Sequence, residues 1–428
     1  MGTTAEKLAY LSATKNAIRQ AIIAKGVEVG ESVTFREYAE KISQIEERPK
    51  LYGYRVKQSE SNPSDRVEYL LDAVGMAPAG LNTSDVFSIG SWGDVWFVKD
   101  NFPCMVTSDG AVDYKLDKTN HTLKEDGTAS DVANTAYNGN AMSAIPTVWV
   151  KRYTEGGYRY FIACKTQYDE TFKAYAHTRP NGTISPYMYM PMYKGSLVSG
   201  KLRSLSGQRP QSSTTGTQEL TYAKANGDRW GLRTWMADEL VTDLLVLLGK
   251  STNLQLTFGQ GHSSGGSSAS DFLDTGTLNS AGQFAGKRSN TTSQVKTFYI
   301  EGLWAERWDR QEGMVFNNGV YYVKPTPENG GYNFDGTGYT SAGTIAVPSN
   351  GFVKEFTQNE YGAFPSVTGG SETTYECDYF YQASGLRVPL RGGNCNNGGN
   401  CGRYVYVDYA VSYAYWSVGA SPFLQNPS

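Results

Sequence analysis

Residues 402–416 read GRYVYVDYAVSYAYW. Five of these fifteen residues are tyrosine, in a chain of 428 residues with 30 tyrosines. Successive side chains of a strand point to opposite faces. Tyr404, Tyr406 and Asp408 share one parity, and Val405 and Val407 the other. After a short break Tyr413, Tyr415 and Ser417 share a parity, with Ala414, Trp416 and Val418 between them. The valine side reads as a core face, so the Tyr/Asp/Ser side is expected to meet solvent. Tyrosine combines a rigid aromatic body, a hydroxyl and little rotamer entropy, which suits a binding surface. It also favours any half-buried strand, so the alternation alone leaves both readings open.

The rest of the chain narrows the class. At roughly 100–200 residues per domain, its length suggests two or three domains. Lys and Arg number 39 against 42 Asp and Glu, a net charge of −3, so no global field points to nucleic acid or membrane. With 47 glycines and 13% aromatics it reads as a β- and loop-rich globular chain. No apolar run is long enough to span a bilayer. MGTTAEKLAY carries no basic-then-apolar signal pattern, so synthesis in a cytoplasm without export by that route is expected. The five cysteines (Cys104, Cys164, Cys377, Cys395, Cys401) are scattered and odd in number, and with His121, His177 and His262 they form no zinc spacing. No cofactor, metal site or catalytic residue is expected.

Residues 5–25 predict a helix with Leu8, Leu11, Ile18 and Ile22 on one narrow stripe, interrupted by Lys15 and ended by Gly26. A second short helix follows, with Thr34 and Glu37 as a capping box and Phe35, Tyr38, Ile42 and Ile45 as its stripe. Two such helices cannot bury a core alone, so segment 1–48 is expected to pair with other copies or a partner. Residues 49–140 read as β-rich and turn-rich, with Asp-Gly turns in SDGAVDYKL and KEDGTASD. VWVKRYTEGGYRYFIACKT (148–166) predicts a hairpin turning at Gly156-Gly157. The clearest helix lies at 234–249, with Thr234 as N-cap, Asp238 and Glu239 favoured by the helix dipole, and Met236, Leu240, Leu244, Leu247 and Leu248 buried. FGQGHSSGGSSAS (258–270) predicts a Gly/Ser loop with His262 solvated. FYIEGLWAERWDR (298–310) predicts a buried element, and YNFDGTG (332–338) a Gly-rich turn without a full calcium ligand set.

RVPLRGGNCNNGGNCGRYVYVDYAVSYAYWSVGAS (387–421) resembles the variable region of proteins diversified by retroelements of phages and bacteria. The marks are Arg391-Gly392-Gly393, the Asn-rich segment after it, and Val418-Gly419-Ala420. GLRTWMADEL (231–240) and GLWAERW (302–308) fit the same branch more weakly. The resemblance implies an α+β fold with a C-type-lectin-type ligand-binding domain over 141–428 and a variable region at about 391–420. A β-rich connecting region, 49–140, and a short N-terminal helical segment, 1–48, precede it. In that family the template encodes Asn at exposed positions, and copying errors at adenines readily give Tyr, Asp, Ser and Gly. It therefore implies a ligand-binding set of Asn394, Asn396, Asn400, Tyr404, Tyr406, Asp408, Tyr409, Tyr413, Tyr415, Trp416 and Ser417, with three asparagines left as template residues.

EKLAYLSATKNAIRQAIIAKG (6–26), TFREYAEKI (34–42) and YGYRVKQSESNPSDRVEYLLDAVGM (52–76) resemble tail-associated proteins of phages of Gram-positive bacteria. This implies a non-enzymatic receptor-binding protein of a phage tail. Residues 1–48 would join other tail proteins, the assembly would be a homotrimer, and the target would be a bacterial cell-surface protein or glycan. Nucleic-acid binding and membrane insertion are not expected. One alternative is a diversified binding protein displayed on a bacterial surface. Another is a copper oxidase of the formylglycine-generating type, because Cys395 and Cys401 follow Gly392-Gly393 and soft thiolates select Cu(I). The cysteine spacing departs from that enzyme pattern.

Overall fold

The computed structural model describes residues 2–44, 48–403 and 405–427. The chain forms two compact units, Met1–Lys50 and Leu51–Ser428. In the first, helix Thr4–Ile23 starts at a reciprocal capping box between Thr3 and Glu6. It is followed by a 3-10 turn, Phe35–Glu37, and the short helix Tyr38–Ser43. Glu37 accepts from the Thr34 N–H at 2.6 Å, completing the expected second capping box. Ile22, Val29 and Tyr38 form a small core. The expected stripe therefore divides. Ile18 and Ile22 face this core, while Leu8 and Leu11 are each 62% exposed. Phe35 and Ile42 are also exposed, and Ile45 lies outside the described residues.

The second unit mixes α and β structure, with strands predominating. Strands from before and after residue 140 share its sheets. A four-stranded antiparallel sheet runs Val67–Leu71, Leu51–Lys57, Tyr158–Cys164, Trp149–Glu155. Its last two strands form the expected hairpin. Gly156 and Gly157 both have positive φ, 58° and 80°, the backbone a two-residue hairpin turn needs. A six-stranded sheet runs Trp230–Leu232, Pro422–Leu424, Tyr187–Pro191, Gly139–Pro146, Phe102–Thr107, Val112–Lys115. The Asp109-Gly110 turn closes its outer hairpin.

Helix Trp235–Gly249 runs through the main core, capped by Thr234, which accepts from the Ala237 N–H. Its five expected apolar positions are buried, but so is every residue from Trp235 to Leu248. Asp238, Glu239 and Asp243 are thus taken out of water, which is tolerable only for paired charges. Arg233 meets Asp238 at 2.6 Å, and Arg391 meets Glu239 at 2.6 Å. Arg403 bonds Glu239 and approaches Asp243 at 3.1 Å, and Arg152 meets Asp243 at 2.7 Å. The early acids of this helix are ion-pair anchors, a role beyond the dipole preference read from the sequence. Burial raises the Glu239 carboxyl, but Arg403 and Arg391 outweigh it and hold the group at about 2.

A seven-stranded mixed sheet carries the tyrosine-rich segment. Its order is Gly362–Thr368, Gly351–Asn359, Tyr379–Gln382, Val405–Val407, Leu390–Arg391, Trp308–Arg310, Val418–Gly419. The Gly/Ser loop at 258–270 is not a solvated flap. His262 is 5% exposed, and its Nδ1 lies 2.8 Å from Glu306, which also accepts from the Leu273 N–H and the Gln294 amide. Glu306 gives His262 a buried partner, which overturns the solvated reading.

Candidate ligand-binding face

Strand Val405–Val407 obeys the alternation. Val405 and Val407 are buried, and Tyr406 is half-buried on the opposite face. Tyr406 sits beside Tyr381 of the parallel neighbour strand, their rings 5.0 Å apart and inclined by 24°. Trp308 meets the same ring edge-on at 4.7 Å.

Beyond Val407 the strand stops. The second alternating run, expected to continue as a strand through Tyr413, Tyr415 and Ser417, is instead a loop. Its backbone is nevertheless fixed. The Tyr409 carbonyl accepts from the Val388 N–H at 3.0 Å, and the Val411 carbonyl from the Gly216 N–H at 2.8 Å. The Tyr413 carbonyl accepts from the Arg310 guanidinium at 2.8 Å. The Tyr415 carbonyl accepts from the Ser213 N–H at 3.0 Å, and the Ser417 carbonyl from the Trp308 N–H at 2.9 Å. All five donors lie outside residues 391–420. Arg310 is itself buried and paired with Glu219 at 2.8 Å, on helix Gly216–Lys224.

The ends of the segment are fixed by charge and by close packing. Arg391 and Arg403 bind Glu239 of the central helix, and Arg307 donates to the Ala420 carbonyl at 2.8 Å. Gly392 has φ +92° and lies against the Leu303 carbonyl, a position L side chains rarely adopt. A Cβ at Gly419 would stand 2.3 Å from the Gln211 carbonyl oxygen. These contacts account physically for the Arg-Gly-Gly and Val-Gly-Ala marks.

On this base the aromatic rings form one row. Tyr381, Tyr406, Tyr409, Tyr413, Tyr415 and Trp416 follow one another, and Phe272 closes the row at 5.8 Å from Trp416. Tyr409 and Tyr413 are nearly parallel, with centroids 3.6 Å apart. Tyr415 is the most open ring, 49% exposed. Asp408 is half-buried beside the row, and its Oδ1 is enclosed without a hydrogen-bond partner. Burial lifts its carboxyl to about 7, despite its own backbone N–H and the nearby Arg387.

The structure thus brings together Tyr406, Asp408, Tyr409, Tyr413, Tyr415 and Trp416. Ser417 is only 5% exposed and is removed from the surface, contrary to its expected role, because the turn at 415–418 directs it inward. Asn394 is 6% exposed, and its side chain accepts from the Asn396 N–H at 2.8 Å, closing its own turn. Asn396 is exposed and Asn400 half-buried, in a segment that packs against the 258–270 loop through Gly398 and Cys395. Tyr404 lies outside the described residues. Sequence reasoning missed Tyr381, Trp308 and Phe272. The alternation Tyr379-Phe380-Tyr381, with Phe380 buried, was the available signal for the first.

Cys395 and Cys401 are both buried free thiols. Burial pushes Cys395 up to about 12 and Cys401 higher still, and Cys401 Sγ donates to the Asn394 carbonyl at 3.6 Å. Among the described residues no three His, Cys, Asp or Glu side chains are placed to hold a metal, and no helix is long and apolar enough to cross a membrane.

No protein-family model matches the chain, and no curated protein matches it. A solved structure titled Major Tropism Determinant U1 Variant is similar at 13% identity, covering 76% of this chain and 71% of that one, with a TM-score of 0.27. A likeness at that score carries no argument here.

Proposed function

We propose that this chain is a phage tail receptor-binding protein whose second unit displays a retroelement-diversified face to a bacterial cell-surface protein or glycan. The observation that carries this reading is the division of labour in residues 408–417. Donors outside the variable segment hold every second carbonyl, while the side chains of Tyr409, Tyr413 and Tyr415 take no part in that holding. A segment built this way accepts changed side chains and keeps its path, which a diversified binding site requires. Rigid rings supply contact area, and hydroxyls supply adaptable polar contacts.

In this reading the second unit is a C-type-lectin-type domain, residues 1–48 join other tail proteins, and a homotrimer multiplies weak single contacts. The protein acts in the virion as an adhesin and not as an enzyme. The test is adsorption of particles carrying Tyr413→Ala and Tyr415→Ala. Loss of adsorption with unchanged assembly is expected, and unchanged adsorption refutes the proposal. Sequencing the adjoining DNA checks diversification separately. A reverse transcriptase gene and a near-copy of codons 391–420 differing only at adenines are expected.

A further inference from the structure

Tyr406 fills an aromatic socket. The Tyr381 ring lies 5.0 Å from it at 24°, the Tyr409 ring 6.2 Å from it at 18°, and Trp308 meets it nearly perpendicular, at 86° and 4.7 Å. Strand pairing sets two of these neighbours beside it. Tyr381 is its partner on the parallel side and Leu390 its partner on the antiparallel side. Trp308 and Leu390 belong to the apolar cluster on which Tyr406 packs, and they are 4% and 1% exposed. Tyr406 itself is only half-buried. The phenol ring thus covers an apolar floor and still reaches water, so the space it occupies opens to the surface.

Position 406 lies within the segment read as variable, whereas Tyr381, Trp308 and Leu390 lie outside it, and the inference rests on that reading. The walls have anchors of their own. The Trp308 N–H donates to the Ser417 carbonyl at 2.9 Å, strand Tyr379–Gln382 is paired to Gly351–Asn359, and the Tyr409 ring stacks on Tyr413 at 3.6 Å. Exchange of the Tyr406 ring for Asn, Ser or Gly therefore removes the plug and leaves the walls standing. We propose that residue 406 is an exchangeable plug over an aromatic socket, and that variants with a small residue there receive an aromatic side chain of a protein target. Two near-parallel rings and one edge-on ring match the quadrupole of another aromatic ring, which a saturated sugar lacks. An apolar space of about this size favours an aromatic guest over water. A single change at 406 converts a filled face into a pocket for an anchor residue, the kind of contact that dominates binding energy.

The test titrates the full chain in three forms, wild type, Tyr406→Ser and Tyr406→Phe, calorimetrically with p-cresol and with methyl glucoside. One p-cresol per Tyr406→Ser chain is expected, bound about tenfold or more tighter than by wild type or Tyr406→Phe. Adding Tyr381→Ala to Tyr406→Ser should abolish that gain. Cyclic peptides selected from a random display library on Tyr406→Ser should carry an aromatic residue and be displaced by p-cresol. Near-ultraviolet circular dichroism verifies folding, and Tyr406→Asn replaces Tyr406→Ser if the serine variant does not fold. Failure of both to fold overturns the inference, because the walls must stand without the plug. Equal p-cresol binding by the three forms overturns it too, as does binding indifferent to Tyr381. Methyl glucoside bound as tightly as p-cresol, or selected peptides without an aromatic residue, have the same consequence. Adsorption of the Tyr413→Ala and Tyr415→Ala particles reads the other end of the row and decides the binding-face reading separately.

Discussion

In helix Trp235–Gly249 the side chains do the holding. Glu239 and Asp243 reach arginines on distant segments, and replacing either strands a buried charge, while Asp238 pairs with the nearby Arg233, which also holds Asp309. In segment 408–417 the backbone is held, by Val388, Gly216, Arg310, Ser213 and Trp308; the Tyr409 and Tyr413 rings also pack against Trp308, Leu390 and Val418, and the Tyr415 ring stays open. Both regions are well ordered by their contacts, yet only the second can change residue identity cheaply. The contrast shows where a fold can accept variation. What matters is whether side chain or backbone carries the local bonds, more than whether the segment is helix or loop.

The largest effect that tests this contrast belongs to the helix. Glu239→Ala leaves Arg391 and Arg403 buried without their shared carboxylate. A loss of about 3–5 kcal/mol is expected in urea unfolding at pH 7. Because Glu239 is depressed from 4.5 to about 2, its contribution is fully present above pH 4.5 and fades as pH falls towards 2. The gap between variant and wild type should narrow on acidification over that window. Arg310→Ala comes next, since it releases the Tyr413 carbonyl and strands Glu219. A loss of about 2–4 kcal/mol is expected, with faster amide exchange confined first to the loop. If Arg310→Ala left the loop as protected as before, the backbone-held description would be wrong.

Gly419→Ala drives a methyl group into the Gln211 carbonyl, so about 1–3 kcal/mol should be lost by thermal unfolding. Asp408→Asn has the opposite sign. The folded carboxyl is raised from 3.8 to about 7, so the folded state holds a proton that the unfolded state releases between those values. Stability therefore declines as pH rises through that window, and the amide removes the decline. A gain of about 1 kcal/mol is expected at pH 8, after allowing for partial solvent screening, and none at pH 4. The smallest effect is reserved for Tyr415→Ser, which should change stability by less than about 0.5 kcal/mol. A large loss there would show that the rings help to hold the loop.

The sequence made some of this legible because the signals were local. The Thr234 cap and apolar spacing located the central helix, Gly156-Gly157 located a hairpin, and the Val405/Val407 parity located the core face of the tyrosine strand. It failed where partners are remote. Glu239 pairs with residues more than a hundred positions away, which no dipole rule foresees. Tyr413 to Ser417 looked like a strand because alternation cannot register carbonyl bonds donated from residues 213, 308 and 310. Asn394 looked like an exposed template residue, but asparagine can cap its own turn, and it does. His262 was hidden by its Gly/Ser surroundings until Glu306 appeared beside it.

The unbroken row from Tyr381 to Trp416 also has an optical consequence. Closely spaced phenol rings pass excitation from one to the next, and two indoles collect it, Trp308 against Tyr406 and Trp416 at the far end. A partner settling over the ring edges would alter that emission without any label. Changing a single ring between Tyr381 and Trp416 would shift the share of excitation that reaches each indole, so variants of the face would differ in emission.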